Sequence, residues 1–234
     1  MQDVTTLQFM RVIARYGGPD VYWTEYFRVH GDSRPEKWIL ESITNNPTGR
    51  PVVAQLIGND IPALIRTARE LQKYPIAAID LNLGCPAPIV YRKCAGGGLL
   101  REPEKIDAIL GALRDAVTVP FTVKTRIGFQ SAEEFDELLP VFAKHPIDLL
   151  TIHARTVKQM YRPGVRYYIS RNRVWMALAY GRQYPRWVRG AFRSSFIDLC
   201  KLAIAEDARW AKVRMILLGF RDGMLGRMGN TVTL

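Results

Sequence analysis

The sequence has few cysteines and no long apolar runs. Its three cysteines, Cys85, Cys94 and Cys200, are an odd number at spacings that match no zinc-binding template, so we expect reduced thiols and no metal site. No window of about 18 uncharged apolar residues occurs, and the first residues lack the basic and apolar segments of a signal peptide. These absences argue against a disulfide-stapled fold and predict no membrane span; a cytoplasmic protein is the default expectation.

Acidic residues are scarce in the last third of the chain. Residues 166–234 hold 13 Lys and Arg against 4 Asp and Glu, whereas residues 1–165 hold 20 against 18. The net charge of +11 would by itself indicate an anionic partner such as nucleic acid. Because most of the excess lies in the last third, whose origin is questioned below, the charge carries little weight as a sign of RNA binding.

Short β-branched or aromatic runs alternate with longer amphipathic stretches between Val21 and Ala154. This alternation is typical of parallel strands joined by helices. The five predicted strands are 21–24, 52–56, 78–83, 121–124 and 149–153. Helix starts are indicated by the cap Asp60 ahead of Pro62, by the capping box of Ser131 and Glu134, and by residues 102–104. With 234 residues, 48% of them apolar, the chain suits one α/β barrel domain.

Polar residues lie near the C-terminal ends of four predicted strands. They are Gln55, Asn82, Lys124 and His153. In a barrel built from successive βα units, these strand ends meet at the mouth where barrel chemistry is found. Each residue alone has a structural reading: Gln55 as a hydrogen-bonded buried amide, and His153 as a satisfied core histidine. Lys124 in an apolar strand needs an anionic or polar partner, because an unpaired buried ammonium is costly.

The most specific segment is 80–88, Asp-Leu-Asn-Leu-Gly-Cys-Pro-Ala-Pro, which a basic, glycine-rich loop follows at 91–100. This segment resembles the signature of the tRNA-dihydrouridine synthases, in which an Asn-x-Gly-Cys-Pro strand end precedes such a loop. Further matches occur in the same order at Thr24-Glu25, Gln55, 123–126, 152–156 and 159–161. The resemblance is colinear from residue 1 to about residue 165.

The resemblance implies flavin-dependent reduction of uridine to 5,6-dihydrouridine in tRNA, with FMN as cofactor and NADPH as reductant. Cys85 matches the family's proton donor, which protonates C5 of the uracil while hydride reaches C6. A thiol suits this task because it can release and recover a proton near neutral pH. The structural alternative for Cys85 is a buried thiol without a catalytic role. Cys94 has no role in the motif.

The same resemblance assigns the other site residues. Gln55, Lys124 and His153 would bind the flavin, with Lys124 stabilising the negative charge of the reduced ring. Asn82 would face the flavin or the uracil. RNA contacts would come from Arg92, Lys93 and Arg155, of which Arg155 could contact the flavin instead. The structural alternatives for these three are a solvated basic loop and a surface ion pair.

The sequence departs from the family pattern at both ends. Val4-Thr5 stands about where the family's first strand end finishes, so that strand is missing. After Tyr167 the family's Asn-Gly-Asp-like strand end and Gly-Arg-Gly-like turn, whose amides hold the FMN phosphate, are not found. We hypothesise a reading-frame change near Tyr168, because bases that can encode residues 179–184 also encode Leu-Met-Ala-Gly-Asn-Ile one position later. The alternative is a divergent C-terminal domain with amphipathic helices.

We therefore expect an incomplete (β/α)8 TIM-type barrel. Residues 1–167 would be the partial FMN-binding barrel, and residues 168–234 a basic tail of irregular or helical structure. Because such a barrel closes with eight strands, we expect open edges, weak flavin retention and poor solubility. Two other functions remain open: a catalytically inactive RNA-binding remnant, and an FMN-barrel dehydrogenase acting on a small pyrimidine. The basic loop and the segment 153–156 favour the tRNA enzymes.

Overall fold

The computed structural model describes residues 5–159, 163–183, 185–205 and 209–229. These residues divide into two compact units, with the division between residues 159 and 160. The first unit combines strands and helices, whereas the second is helical throughout its described elements. The predicted domain limit at residue 167 lies inside a helix of the second unit and stays a prediction.

Strands and helices alternate along the first unit. Its strands are β1 (Tyr22–Trp23), β2 (Phe27–Val29), β3 (Val52–Gly58), β4 (Ala78–Leu83), β5 (Phe121–Arg126) and β6 (Leu149–His153). Its helices are α1 (Leu7–Ala14), α2 (Lys37–Thr44), α3 (Ile61–Leu71), α4 (Pro88–Tyr91), α5 (Pro103–Ala116), α6 (Phe135–Ala143) and a 3₁₀ helix (Gly96–Arg101).

All six strands belong to one parallel sheet. β1 and β2 both pair with β3, and β4, β5 and β6 follow in chain order. A curled parallel sheet whose strands, apart from β1 and β2, are separated by helices is an incomplete TIM-type barrel, so the predicted fold class is confirmed. Five strands were predicted; the sixth, β2, continues β1 after a break at residues 24–26.

The central strands and the helices between them form the core. Every residue of β3 and β4 is buried, as expected for parallel strands that are covered on both faces. The predicted cap of α3 is confirmed, because the Asp60 carboxylate accepts from the Ala63 backbone N–H at 2.9 Å. The helix predicted to start at residues 102–104 is α5, and its buried apolar face contains Ile106, Ile109, Leu110 and Leu113.

The helix predicted from the capping box at Ser131 begins later, because α6 starts at Phe135. The Glu134 carboxylate accepts hydrogen bonds from the backbone N–H groups of Phe129 (2.6 Å), Gln130 (3.1 Å) and Ser131 (3.1 Å). Glu134 therefore closes a turn ahead of the helix. Its bond from the Ser131 N–H is the bond that the acidic residue of a capping box accepts.

Strand β6 forms one edge of the sheet. β5 pairs with one side of it, and among the described residues no strand pairs with the other side. Leu149 and Ile152 are accordingly 47% and 44% exposed, although both are apolar. The open edge predicted from the strand count is thus present in the described part of the chain.

The second unit contains α7 (Pro163–Tyr180), α8 (Pro185–Ala205) and α9 (Arg209–Met224). Of the irregular or helical structure expected for the tail, the helical one is confirmed, and the reading-frame change stays a hypothesis. α7 and α9 pack closely: a β-carbon at Gly223 would lie 2.6 Å from the Arg171 carbonyl oxygen. The fully buried Tyr167 donates from its hydroxyl to the Asp222 carboxylate at 2.8 Å. No helix in the described ranges is long and apolar enough to cross a membrane.

Candidate active site at the strand ends

One face of the sheet carries polar side chains at every second residue, as the two-residue period of a strand requires. The residues on this face are Gln55 of β3, Asp80 and Asn82 of β4, Thr122, Lys124 and Arg126 of β5, and His153 of β6. In the strand register Gln55 pairs with Asp80, Asn82 with Lys124, and Arg126 with His153. The four polar residues predicted near the strand ends, Gln55, Asn82, Lys124 and His153, therefore lie on one face, each on a different strand.

A buried carboxylate, Asp80, organises the lower part of this face. It accepts hydrogen bonds from the Gln55 amide at 2.7 Å and from the Thr122 hydroxyl at 2.5 Å. The Asn82 amide donates to the Gln55 carbonyl oxygen at 2.9 Å. Burial raises the pKa of Asp80, while hydrogen bonds from Thr122, Gln55 and Trp23 oppose that shift. These bonds orient Gln55 and leave its side chain one further N–H and one further lone pair.

Two basic side chains, Lys124 and His153, lie nearer the C-terminal ends of the strands than Asp80 does in the strand register. The Lys124 ammonium is half-buried, and it makes no hydrogen bond or ion pair with the residues that the structure describes. Burial, followed by the charge of Arg126, lowers the pKa of Lys124, and Asp80 opposes this effect. Burial also lowers the pKa of His153, with smaller contributions from Arg126, Lys124 and Arg155. The upper part of the face is therefore a positive environment suited to an electron-rich or anionic group.

Cys85 lies in the loop that follows β4, where several contacts hold its backbone. Its carbonyl oxygen accepts from the Gly97 N–H at 3.1 Å, and the preceding Gly84 carbonyl accepts from Arg126 at 2.7 Å. Gly96 has a φ of +53°, and a β-carbon there would lie 2.9 Å from that of Cys85. Glycine at 96 therefore lets the loop close against Cys85, whose side chain is partly exposed.

A comparison with models of protein families shows to which family the chain belongs. A family model described as dihydrouridine synthase matches residues 1–172. The chain belongs to the dihydrouridine synthase family. The family predicted from the segment 80–88 is thus confirmed, and the match ends within α7.

Individual relatives agree with this membership. The chain is 33% identical over 162 residues to a probable tRNA-dihydrouridine synthase of Staphylococcus aureus (strain COL), an alignment of 68% of this chain and 49% of the relative. It is 35% identical over 171 residues to a tRNA-dihydrouridine(16) synthase of Neisseria meningitidis serogroup A (strain DSM 15465 / Z2491), covering 70% and 51%. The chain spans about half the length of the curated relatives that it matches.

Three residues at this candidate site had no predicted role. Asp80 and Arg126 each lie two residues from a predicted site residue on the same strand, so the strand period could have found them. Arg126 is buried and also donates to the Thr156 carbonyl at 2.8 Å, which joins the Cys85 loop to the loop after β6. Tyr26, which lies in the break between β1 and β2, is buried, and burial followed by the charge of Cys85 raises the pKa of Tyr26 to about 12. No local pattern places Tyr26 near Cys85.

Aromatic and basic side chains connect the loops around the candidate site. The Tyr91 and Phe129 rings meet edge to face at 5.5 Å. The Arg101 guanidinium lies 4.4 Å from the centre of the Phe129 ring, and the Lys158 ammonium 4.8 Å from that of Tyr91. This cluster ties the loop after β4 to the loops after β5 and β6.

The predicted RNA-contact residues lie at the surface or near it. Arg92 and Lys93 are exposed in the loop after β4, and the Lys93 carbonyl accepts from the Asn59 amide at 2.9 Å. Arg155 is partly exposed, and its backbone N–H donates to the His153 carbonyl at 2.6 Å. Their positions leave Arg92 and Lys93 accessible to a large partner, and the roles predicted for all three stay predictions.

Proposed function

We propose that the protein reduces uridine to 5,6-dihydrouridine in tRNA with bound FMN, which NADPH reduces. The observation that carries this proposal is Cys85 after a strand of the polar face, on which the half-buried Lys124 ammonium makes no hydrogen bond or ion pair with the described residues. Membership of the dihydrouridine synthase family supports the reaction, and the names of the relatives support tRNA as the substrate. The proposal implies a cytoplasmic protein, because its tRNA substrate is found in the cytoplasm. The proposed reaction uses no metal cofactor.

The donor set fits the ring system of a flavin. Gln55 retains an N–H and a lone pair for the polar edge of the ring, and Lys124 offers a cation where the reduced ring is negative. His153 pairs with Arg126 in the strand register, on the strand next to that of Lys124, and would complete this contact. The phosphate of FMN has no such match, because the sequence contains neither an Asn-Gly-Asp nor a Gly-Arg-Gly segment.

The chain's own residues would hold the substrate and supply the proton. When bound, reduced FMN would supply the hydride that adds to C6 of the uracil. The Cys85 S–H bond breaks and its proton goes to C5, so the C5=C6 double bond gains one hydride and one proton. The sulfur keeps the electron pair of the broken S–H bond and becomes a thiolate. A proton from solvent then restores the thiol. Asn82 would orient the uracil or the flavin, since its amide is held by Gln55 and by the Gly84 N–H.

A uridine within folded RNA has to leave its stack before it can reach this face. Arg92 and Lys93 project from the loop that carries Cys85, so they can contact phosphates on either side of an extruded uridine. Arg155, next to His153, would add a third cation at the rim. These contacts position the RNA, whereas the polar face recognises the base.

The test compares the unsubstituted protein with Cys85→Ala and with Cys94→Ala, a control cysteine from the same loop. Each protein is assayed for flavin content and for dihydrouridine formed on unmodified tRNA in the presence of NADPH. We expect bound flavin in all three proteins, with activity lost only in Cys85→Ala. Activity that survives in Cys85→Ala would reject the assigned proton donor.

The same preparations discriminate the two rival functions. A catalytically inactive RNA-binding remnant would bind tRNA without retaining flavin or forming dihydrouridine. A dehydrogenase of small pyrimidines would oxidise NADPH with free uracil or orotate and leave tRNA unchanged. Either result would reject the proposed function.

A further inference from the structure

We propose that Asp80 is a positioning residue for Cys85: the buried carboxylate fixes the direction of a chain of hydrogen bonds that ends at the turn before that cysteine. The chain runs from Asp80 through the side-chain amides of Gln55 and Asn82 to the backbone of Gly84. This inference deepens the proposed function and rests on it for the role of Cys85.

Three hydrogen bonds join the members of this chain. The Gln55 amide N–H donates to Asp80 Oδ2 at 2.7 Å, and the Asn82 amide N–H donates to the Gln55 carbonyl oxygen at 2.9 Å. The Asn82 carbonyl oxygen accepts from the Gly84 backbone N–H at 3.0 Å. All four residues are buried, so solvent does not replace a partner that one of them loses.

The two ends of the chain decide which way each amide points. A side-chain amide has donors on its nitrogen and an acceptor in its oxygen, so it can turn over unless its partners forbid this. The Gly84 N–H can only donate, so the Asn82 oxygen faces Gly84 and the Asn82 nitrogen faces Gln55. Gln55 must then present its oxygen to Asn82 and its nitrogen to Asp80. An acceptor at position 80 is therefore required, and without one a buried N–H of Gln55 loses its partner.

The second oxygen of Asp80 holds the carboxylate in place. Asp80 Oδ1 lies 2.5 Å from the Thr122 hydroxyl oxygen on the neighbouring strand. Burial raises the pKa of Asp80, and a proton bound to this carboxylate would sit on Oδ1, where the Thr122 oxygen can accept it. Oδ2 accepts from Gln55 in either case, so the direction of the chain is the same in both protonation states of Asp80.

The far end of the chain fixes Gly84 from one side, and Arg126 fixes it from the other. The Gly84 carbonyl oxygen accepts from Arg126 at 2.7 Å, and Arg126 also donates to the Thr156 carbonyl at 2.8 Å. Both polar backbone groups of Gly84 are thus hydrogen-bonded to side chains. Since Gly84 directly precedes Cys85, these bonds set the direction of the thiol, and Asp80 acts on it through the two amides without touching the reacting atoms.

Three variants separate this role from a general loss of stability. Asp80→Ala removes both carboxylate oxygens. Asp80→Asn keeps an oxygen that can accept from Gln55, while its nitrogen can donate to the Thr122 oxygen, so it should preserve the chain. Asp60→Ala is the matched control, because it also removes a carboxylate that accepts a hydrogen bond, the cap of α3 on the Ala63 N–H, and lowers stability away from the chain.

The readout is hydrogen exchange of backbone N–H groups, measured by NMR. We expect the Gly84 N–H to exchange about tenfold faster in Asp80→Ala, because its acceptor is no longer held, and at its original rate in Asp80→Asn. The Ile79 N–H, which donates to the Pro120 carbonyl at 3.0 Å, is the internal reference for the sheet and should be unaffected. If Asp80→Ala does not fold, Gln55→Leu interrupts the same chain with an apolar side chain, and Gly84 should exchange faster there.

Three results would overturn the inference. They are an unchanged Gly84 rate in the variants that break the chain, an equal acceleration of the Gly84 and Ile79 N–H groups, and a Gly84 acceleration in Asp60→Ala as large as in Asp80→Ala. Each would mean that Asp80 does not act on the turn through the two amides.

Hydrogen exchange needs neither flavin nor tRNA, so it separates the inference from the proposed function. Faster exchange at Gly84 in a protein that forms no dihydrouridine would keep the chain and reject the reaction. In an active protein we expect Asp80→Ala to form dihydrouridine about tenfold more slowly per bound flavin, with Asp80→Asn close to the unsubstituted protein. An undiminished rate in Asp80→Ala would keep the reaction and reject the positioning role.

Discussion

Gly97 lies directly behind the backbone of Cys85, and its replacement by alanine tests the packing described for this loop. A β-carbon at Gly97 would lie 2.5 Å from Val157 Cγ2 and 2.9 Å from the Cys85 carbonyl oxygen. Both neighbours are held, since Val157 is 2% exposed and the carbonyl is hydrogen-bonded. Added volume in a closed site typically costs about 1–3 kcal/mol, so we expect Gly97→Ala to destabilise the first unit by that amount.

A second substitution shows whether the collision with Val157 is the cause. Val157→Ala alone should cost roughly 1.6 kcal/mol for two buried methyl groups, at about 0.8 kcal/mol each, and more if a cavity remains. In the double variant the closest collision is gone. We therefore expect its destabilisation to be smaller than the sum of the single values by about 1 kcal/mol, with the contact to the Cys85 carbonyl retained.

Urea unfolding followed by circular dichroism gives the free energy of unfolding of each protein. Gly31→Ala is the control, because a β-carbon there would have no atom within 4 Å. Its effect should stay within about 0.5 kcal/mol. The packing argument would be refuted if Gly97→Ala were as mild as Gly31→Ala, or if the effects of Gly97→Ala and Val157→Ala simply added.

Three further predictions concern the polar face. Lys124→Met should abolish flavin binding, which flavin fluorescence measures. It should also raise the free energy of unfolding by less than about 1 kcal/mol, because a half-buried cation is removed, and denaturation measures this effect. FMN and riboflavin should bind within about threefold of each other in a fluorescence titration, since the phosphate-binding segments are missing. Asp80→Asn should flatten the pH dependence of stability: burial raises the pKa of Asp80 above its unfolded value, so native stability falls as pH rises between those two values.

Controls accompany these three. Lys37→Met, at an exposed position of α2, should change neither stability nor flavin binding. FMN binding ten times tighter than riboflavin would contradict the missing phosphate contact. If Asp80→Asn leaves the pH dependence of stability unchanged, another group causes that dependence. Asp115→Asn, at an exposed position of α5, is the control and should leave the pH dependence unchanged.

The sequence predicted the elements whose signals are local. The buried runs of β3 and β4 and the proline-led start of α3 contain enough apolar periodicity and capping chemistry to identify them. β2 was missed because Thr24–Tyr26 interrupt the pairing, which only the register against β3 explains. α7 was not predicted because its apolar residues follow no clear helical stripe, and its packing depends on glycines of α9.

The candidate site shows the same division. Gln55, Asn82, Lys124 and His153 could be placed on one face because parallel strands carry them in register. Contacts between separate loops could not be predicted: the hydrogen bond from Arg126 to the Thr156 carbonyl depends on which strands are neighbours, and the sequence contains no local sign of it.

The edge of β6 that pairs with no strand among the described residues also has a consequence for folding. Forming the native sheet is a first-order process, whereas pairing between the exposed edges of two molecules is second-order in protein concentration. Diluting the chain during refolding slows the second process and leaves the first unchanged. The apolar Leu149 and Ile152 are exposed on that strand and add to the competition, so we expect the yield of native protein to fall as the protein concentration during refolding rises.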